Sequence, residues 1–183
     1  GNLNLSPVLS PDGKDVTFLT NKNVISIDLM VANTETKEIK KKLTSSVRKS
    51  HIDDFNYIES SGSWSPDGKS YVLTTFSKGR NKLLIANVEG NNVKIKKEIA
   101  PEDVKSFNNP EWSPDGNKIL INGLVKGQSD LYVYDLKQKE VEQITDDKYS
   151  DLHASWSSQG DKIVFISDRG PDTDLSRQKY GKY

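Results

Sequence analysis

A four-residue turn motif organises this sequence. Its clearest copy, residues 113–116, reads Ser-Pro-Asp-Gly and lies between Trp112 and the apolar run 119–121. Ser, Pro and Gly suit the first, second and fourth positions of a type I turn, since Pro presets φ and Gly accepts a positive φ. The motif therefore predicts a hairpin that joins the end of one buried strand to the start of the next.

The turn recurs at nearly regular spacing. Full copies end at Gly13, Gly68 and Gly116, and a variant, Ser-Ser-Gln-Gly, ends at Gly160. These glycines are 55, 48 and 44 residues apart, and each of the 3 tryptophans lies four residues before its turn glycine. Repeats of about 40–50 residues are typical of the four-stranded blades of a β-propeller.

Each repeat also contains further runs of strand-forming residues. The second strands are predicted at 16–20, 71–75, 118–121 and 162–166, the third at 25–32, 83–88 and 130–136, and the fourth at 38–43, 93–99 and 140–144. These runs are rich in β-branched and aromatic residues, and no stretch shows a helical period with caps. We therefore expect an all-β protein, a β-propeller with about four blades of four-stranded antiparallel sheet.

The repeats predict a single propeller segment over residues 1–183. Its blades are expected at about 3–45, 58–100, 107–146 and 150–183. In the last blade, a third strand near Leu175 has no predicted fourth strand after it. An incomplete last blade favours a segment of a larger ring, and a self-contained four-bladed ring is the alternative.

Composition excludes several kinds of partner. Lys+Arg and Asp+Glu both number 26, so the chain lacks the net positive charge expected for binding nucleic acid or an anionic membrane. The absence of cysteine excludes disulfides and thiolate chemistry. No apolar run reaches the roughly 18 residues of a transmembrane helix, so we expect no membrane insertion. No signal peptide is recognised, as expected for a cytosolic protein or for a chain that begins after processing.

Motifs that carry catalysis are missing from the sequence. It contains no Gly-x-Ser-x-Gly elbow, no His-Glu-x-x-His helix, no phosphate-binding loop and no dinucleotide-binding turn. We therefore expect this chain to be no enzyme by itself and to hold no cofactor and no resident metal.

The candidate binding residues lie in the loops that precede the inner strands or join the second strand to the third. In a propeller both sets of loops reach one face, and loops on a rigid scaffold often carry function. The candidates are His51, Asp53, Asp54, Arg80, Asn108, Asn109, Lys126, Asp151, His153 and Arg169. The two histidines, each near carboxylates, have the chemistry of a divalent-cation or substrate-carboxylate site. Hydrogen-bonded or solvated loop histidines are the favoured alternative.

The repeats resemble a known family. Residues 110–120 and 154–169 carry the pattern Pro/Ala-x-Trp-Ser-Pro-Asp-Gly, ending in Ile-x-Ser-Asp-Arg, and 129–145 match the second half of a repeat. This pattern is similar to the WD40-like repeats of TolB-type β-propellers over nearly the whole chain. It departs where Leu9 replaces Trp and where Ser158 and Gln159 replace Pro-Asp. Weaker turns are expected at those two places.

The resemblance implies a function without catalysis. TolB-like propellers suggest a binding or scaffold module of the Gram-negative cell envelope, in the periplasm, that engages a protein or peptide. Loops 50–61, 103–109 and 148–153 would form its binding face. The alternative is a gating propeller of a prolyl oligopeptidase-type serine peptidase whose catalytic domain lies outside this chain. A third interpretation makes the channel a metal or sugar site. Self-association would use unclosed blade edges.

Overall fold

The computed structural model describes residues 3–23, 26–42, 54–55, 61–89 and 92–169. Within these ranges the chain forms strands and no helix, and so no helix that could cross a membrane. The strands are β1 Leu3–Leu9, β2 Asp15–Asn23, β3 Ser26–Asn33, β4 Ile39–Lys42, β5 Asp54–Phe55, β6 Ser63–Trp64, β7 Ser70–Ser77, β8 Arg80–Glu89, β9 Asn92–Ile99, β10 Phe107–Trp112, β11 Lys118–Val125, β12 Gln128–Asp135, β13 Val141–Gln143, β14 Asp151–Trp156 and β15 Ile163–Ser167.

These strands form four successive antiparallel sheets. The first contains β1 to β4 in chain order, and the third contains β10 to β13 in chain order. In the second, β5 and β6 both pair with β7 at the inner position, and β8 and β9 follow. The fourth sheet pairs β14 with β15. The prediction of an all-β propeller with four-stranded sheets is confirmed, whereas the predicted strand near Leu175 lies outside the described residues.

Each hydrophobic core lies between two consecutive sheets. Because side chains alternate along a strand, one strand serves two cores: Val72 joins the core shared with the third sheet, while Leu73 joins the core shared with the first. We call these interfaces the first, second and third seams. Their members include Leu19 and Val31 with Trp64 and Leu73, then Val72 and Ile85 with Ile119 and Tyr134, then Leu120 and Val133 with Ala154 and Trp156.

A hydroxyl group closes the Ser-Pro-Asp-Gly turns. Ser113 Oγ donates to Asp115 Oδ1 at 2.6 Å and accepts the backbone N–H of Lys118 at 2.9 Å. The N–H of Gly116 donates to the Ser113 carbonyl at 2.9 Å, and Gly116 has a φ of 73°. The equivalent serines of the first two repeats, Ser10 and Ser65, make the same bonds. The hairpins therefore form where the motif predicted them.

The fourth turn lacks the proline and aspartate but keeps the geometry. The Gly160 N–H donates to the Ser157 carbonyl at 2.9 Å, and Ser157 Oγ accepts the Lys162 N–H at 3.1 Å. Ser157 Oγ donates to Asp161 Oδ1 at 2.8 Å. Asp161, one residue after the turn glycine, thus accepts the hydrogen bond that the motif's aspartate accepts in the other turns. The Ser157 hydroxyl therefore keeps a carboxylate partner, although a weaker turn was expected at this place.

Turns of neighbouring sheets contact each other. A methyl group built on Gly160 would lie 3.3 Å from Cδ of Pro114, and one built on Gly116 would lie 3.7 Å from Cδ of Pro66. Gly68 meets Pro11 in the same way, at 3.8 Å. The proline of each turn therefore covers the glycine of the next turn along the chain.

Polar bonds also cross the seams beside the tryptophans. Ser63 Oγ accepts the backbone N–H of Trp112 at 2.9 Å, and Glu111 Oε1, at the same repeat position, accepts the N–H of Trp156 at 3.3 Å. At the first seam the indole N–H of Trp64 donates to the Val8 carbonyl at 3.1 Å. The tryptophans therefore lie between sheets.

Candidate functional site

Antiparallel sheets place the connections on two opposite faces. We call the face with the Ser-Pro-Asp-Gly turns the turn face. The opposite face, which we call the loop face, carries the hairpins 77–80 and 125–128, the strand end 167–169, and the loops 100–106 and 145–150 that lead into inner strands. The candidate residues that the structure describes belong to the loop face or to the inner strands next to it.

Two-residue hairpins project lysines from the loop face. Lys78 and Gly79 have φ values of 51° and 76°, and Lys126 and Gly127 have φ values of 53° and 84°. A positive φ at both central residues defines a type I′ turn, whose twist matches that of the flanking strands. Both lysines are exposed, and each hairpin is fixed by a full antiparallel ladder below it.

The loops into the inner strands are held by side chains from the third strands. Arg80 begins β8 and donates to the carbonyl of Pro101. Gln128 begins β12 and donates to the carbonyls of Asp147 and Tyr149, the latter at 3.3 Å. Both donors occupy the same repeat position, so two different residue types brace equivalent loops.

A buried ion pair fixes the last loop. Arg169 donates to both carboxylate oxygens of Asp151, which is fully buried, and to the partly exposed carboxylate of Asp147. Its guanidinium carbon lies 5.6 Å from the Tyr149 ring centre and 5.7 Å from that of Phe165. Burial works against the charge of Arg169, but its bonds to Asp151 and Asp147 outweigh burial and raise its pKa.

Carboxylates on this face titrate differently because their surroundings differ. Burial would raise the pKa of Asp147, but the bond from the Tyr149 N–H and the contact with Arg169 hold it below its ordinary value. Burial raises the pKa of Asp130, and the nearby charges of Asp151 and Asp146 add to the rise, against bonds from Gln128 and Thr145.

Side-chain amides and a hydroxyl tie the second and third sheets to the inner strand of the sheet that follows each of them. Asn81 donates to the Phe107 carbonyl across the second seam. Across the third seam Asn122 Nδ2 donates to the Asp151 carbonyl at 3.1 Å, and Ser129 Oγ donates to it at 3.2 Å. The loop face is therefore a set of braced loops whose polar contacts reach across the seams.

The family follows from a comparison with known proteins. A sequence model described as the TolB β-propeller domain matches residues 47–181, which is more than half of the chain. This chain belongs to the TolB β-propeller family. A comparison of this TolB-type propeller with curated proteins gives no significant match.

Solved structures with a similar fold include TolB itself. TolB from Acinetobacter baumannii is 19% identical with a TM-score of 0.66, over 94% of this chain and 39% of that one. The β-propeller domain of the trilobed protease from Pyrococcus furiosus is 19% identical with a TM-score of 0.58, over 94% and 51%. Oligogalacturonate lyase from Vibrio parahaemolyticus is 14% identical with a TM-score of 0.63, over 91% and 47%. At these identities the likeness shows the fold alone. The TolB-type chain spans between 39% and 51% of the length of these proteins.

The described part of the TolB-type propeller brings two predicted site residues into contact, Asp151 and Arg169. These two side chains are paired with each other, and Arg80 is bonded to the loop that leads into β10. These three residues therefore support the loop face from within. Reversing the charge of Asp151, which is fully buried beside Arg169, is expected to disrupt the packing of the third seam.

The remaining candidates lie apart from that pair. Lys126 is exposed on its hairpin, and Asn108 lies in the inner strand β10. Asn109 and His153 have φ values of 50° and 52° at equivalent register shifts of β10 and β14. Ser6, with a φ of 51°, occupies that position in β1, so His153 marks a β-bulge shared by the inner strands.

Some predicted residues cannot be placed at the site. Asp54 begins β5, where its backbone pairs with Phe76. His51 and Asp53 lie outside the described residues. Over the described ranges, no group of three His, Asp or Glu side chains could hold a metal ion.

Sequence reasoning missed three residues that hold the loops and inner strands in place. Asn81, Gln128 and Asn122 were not singled out, although each makes a bond that holds a loop or an inner strand. Gln128 and Asn81 lie at the first and second positions after the second-to-third hairpins of their repeats, and that placement was the available signal for these two. The residue types differ between repeats, so a pattern based on identity does not find them.

Proposed function

We propose that this chain is a non-catalytic module that binds a protein or peptide through its loop face, in the periplasm of a Gram-negative bacterium. The observation that supports this most is the bracing of the loops by Arg80, Gln128 and Arg169. A surface that is ordered before it binds loses less conformational entropy on association.

The exposed charges suit a polar protein surface or a peptide. Glu102, Asp103 and Lys105 are exposed in one loop, and Asp146 and Lys148 are exposed in the next. Charges of both signs lie side by side, which favours a partner of mixed charge over a polyanion. Family membership with TolB and the fold shared with TolB of Acinetobacter baumannii support the envelope location.

Site-specific crosslinking in the complete protein tests the binding face. A photoreactive residue at Glu102, on the loop face, is expected to give one discrete adduct with an envelope protein. The same residue at Lys137, exposed on the turn face, is the matched control. Lys126→Glu, on the neighbouring hairpin, is expected to reduce the adduct at position 102 by reversing one exposed charge.

Two results would contradict the proposal. One is an adduct from position 137 with nothing from position 102, which would assign binding to the turn face. The other is a protein that fractionates with the cytoplasm when the native gene is expressed in its own host.

A second candidate is a propeller that gates a peptidase. The β-propeller domain of the trilobed protease, with a TM-score of 0.58, is the observation that favours it. The catalytic residues would then lie outside this chain, and the loop face would limit which peptides enter. A hydrolase domain with a Gly-x-Ser-x-Gly elbow in the same polypeptide, together with peptidase activity, would replace the first proposal by this one.

A further inference from the structure

A buried carboxylate next to the loop 145–150 has no cation as its partner. Asp130, in β12, is 5% exposed, and within the described ranges it forms no ion pair. The described side chains that donate to its oxygens are neutral: Gln128 Nε2 at 3.3 Å and 3.5 Å, Gln143 Nε2 at 3.4 Å and the Thr145 hydroxyl at 3.4 Å. We call these four residues the Asp130 cluster. Burying an unpaired charge is unfavourable, so the cluster disfavours the ionised form of Asp130.

The second sheet has an ion pair at the same repeat positions. Lys82 and Asp130 each lie fourteen residues after their turn glycine, and Glu98 and Gln143 occupy equivalent places in the fourth strands. Lys82 Nζ lies 3.5 Å from Glu98 Oε2. The third sheet therefore has a carboxylate and an amide where the second has a cation and a carboxylate.

The charges around Asp130 are mostly of its own sign. Burial raises the pKa of Asp130, and the charges of Asp151 in β14 and Asp146 in the loop raise it further. Burial also raises the pKa of Tyr132, in the same strand, and the charge of Asp130 adds to that rise. The cation Arg169, after β15, is bonded to Asp151 and to the loop carboxylate next to Asp146.

Two side-chain amides are shared between Asp130 and the loop backbone. Gln128 Nε2 donates to Asp130 and also to two loop carbonyls, that of Tyr149 at 3.3 Å. Gln143 Nε2 lies 3.4 Å from Asp130 Oδ2 and 2.9 Å from the carbonyl of Thr145. Each amide has two N–H groups, and an ionised carboxylate is a stronger acceptor than a neutral group. Ionised Asp130 therefore competes with the loop backbone for the same donors.

We propose that Asp130 is a proton-sensitive switch for the order of the loop 145–150. When Asp130 is protonated, the amides of Gln128 and Gln143 are left to the loop carbonyls, and the loop is held against β12 and β13. When Asp130 is ionised, it draws these amides away and repels Asp146 and Asp151, which loosens the loop. The proposal is independent of what the loop face binds.

Proton linkage gives the same direction. In an opened loop, Asp130 would be solvated and would return to its ordinary pKa of 3.8, whereas burial raises the pKa in the closed loop. The closed loop therefore gains stability from the proton. This gain is fully present below pH 3.8 and is lost as the pH rises through the raised pKa.

Amide hydrogen exchange of residues 145–150 in the complete protein, between about pH 4 and pH 8, tests the proposal. Each rate is expressed as protection relative to an unstructured peptide at the same pH, which removes the pH dependence of the exchange chemistry. We expect the protection of this loop to fall by at least about threefold as the pH rises. The loop 100–106, next to the Lys82–Glu98 pair, is the internal control and should show no such fall.

Two variants separate Asp130 from the other carboxylates. Asp130→Asn keeps the shape of the side chain but cannot titrate, so its loop should stay protected at every pH. Asp146→Asn, the matched control, removes an exposed charge of the same loop and should keep the fall in protection. The carboxyl-carbon NMR signal of Asp130 in the unmodified protein reports the titration directly, even if a variant fails to fold.

Four outcomes would overturn the proposal. The first is an Asp130 that titrates at or below its ordinary pKa of 3.8. The second is protection of the loop 145–150 that stays constant or increases as the pH rises. The third is a pH dependence that survives in Asp130→Asn. The fourth is an equal fall in the loop 100–106, which would assign the change to the protein as a whole.

Discussion

The turn face and the loop face are both held by side-chain hydrogen bonds, but the residues that make these bonds recur differently on the two faces. On the turn face, Ser10, Ser65 and Ser113 make identical bonds to their own turns, and the fourth turn keeps the hydroxyl of Ser157. On the loop face, equivalent loops are held by Arg80 in one blade and by Gln128 in the next. The contrast shows that the hydrogen bonds within a turn are made by the same residue type in each repeat. The bonds that hold the longer loops are made from the same repeat position by different residue types.

The largest expected loss of unfolding free energy comes from a change at the seams, whose packed sheets carry both faces. Trp112→Ala removes an indole packed against the second core and is expected to cost about 3–5 kcal/mol of unfolding free energy. Leu9→Ala is the matched control at the same repeat position, where the side chain is 61% exposed, and should cost less than about 1 kcal/mol. Urea unfolding measures both, and equal losses would contradict the placement of Trp112.

On the loop face, the largest effect is expected at the buried ion pair. Arg169→Met leaves the fully buried Asp151 carboxylate without its cation and should cost about 3 kcal/mol. Lys126→Met, on an exposed hairpin, is the control and should change stability by less than about 0.5 kcal/mol. If thermal unfolding shows the two variants to be alike, Arg169 has no bracing role.

The turn face is expected to be less sensitive to a single change. Ser113→Ala removes the hydroxyl that joins Asp115 to the Lys118 N–H, a loss of about 1–2 kcal/mol. Ser157→Ala should cost a similar amount, since Ser157 bonds Asp161 and Lys162 in the same way. A negligible effect of Ser157→Ala would show that Asp161 does not replace the motif's aspartate.

The smallest effect concerns pH. Burial raises the pKa of Glu111 above its ordinary 4.5, so the folded state binds this proton more tightly than the unfolded state does. Stability from this group is present below pH 4.5 and is lost as the pH rises through the folded pKa. Glu111→Gln should therefore stabilise the protein at neutral pH, because the amide oxygen can still accept the Trp156 N–H.

The turn aspartates have the opposite dependence. The bonds from Ser113 and from the Asn117 N–H lower the pKa of Asp115 below its ordinary 3.8. Its contribution is present above pH 3.8 and is lost as the pH falls through the folded pKa. Urea unfolding between pH 3 and 7 separates the two groups: Asp115→Asn should remove stability at neutral pH, where Glu111→Gln adds it. Changes of the same sign would contradict the assignment.

The fold could be predicted from the sequence because the turn motif acts through residues that are close together in the chain. Ser, Pro, Asp and Gly act within four residues, and the tryptophan spacing gave the repeat, so the strands around Gly68 and Gly116 were placed correctly. The bulge in the inner strands was not predicted, since Ser6, Asn109 and His153 share a backbone conformation but no residue type.

The contacts that the candidate residues make were not predicted, for a similar reason. Arg80 and Arg169 were expected to serve a partner as cations of the loop face. Whether such a side chain is available depends on contacts with residues about twenty positions away, such as Pro101 for Arg80 and Asp151 for Arg169. Burial and pairing of that kind depend on which loops and strand ends the fold brings together, and no local pattern encodes them.

The location of the cores between sheets has a consequence for folding. A single sheet of this protein shares its buried residues with its neighbours, so the smallest cooperative unit is a pair of adjoining sheets. The second sheet contributes to two cores and the first to one of the three described. Amide hydrogens of β7 and β8 should therefore exchange more slowly than those of β2 and β3.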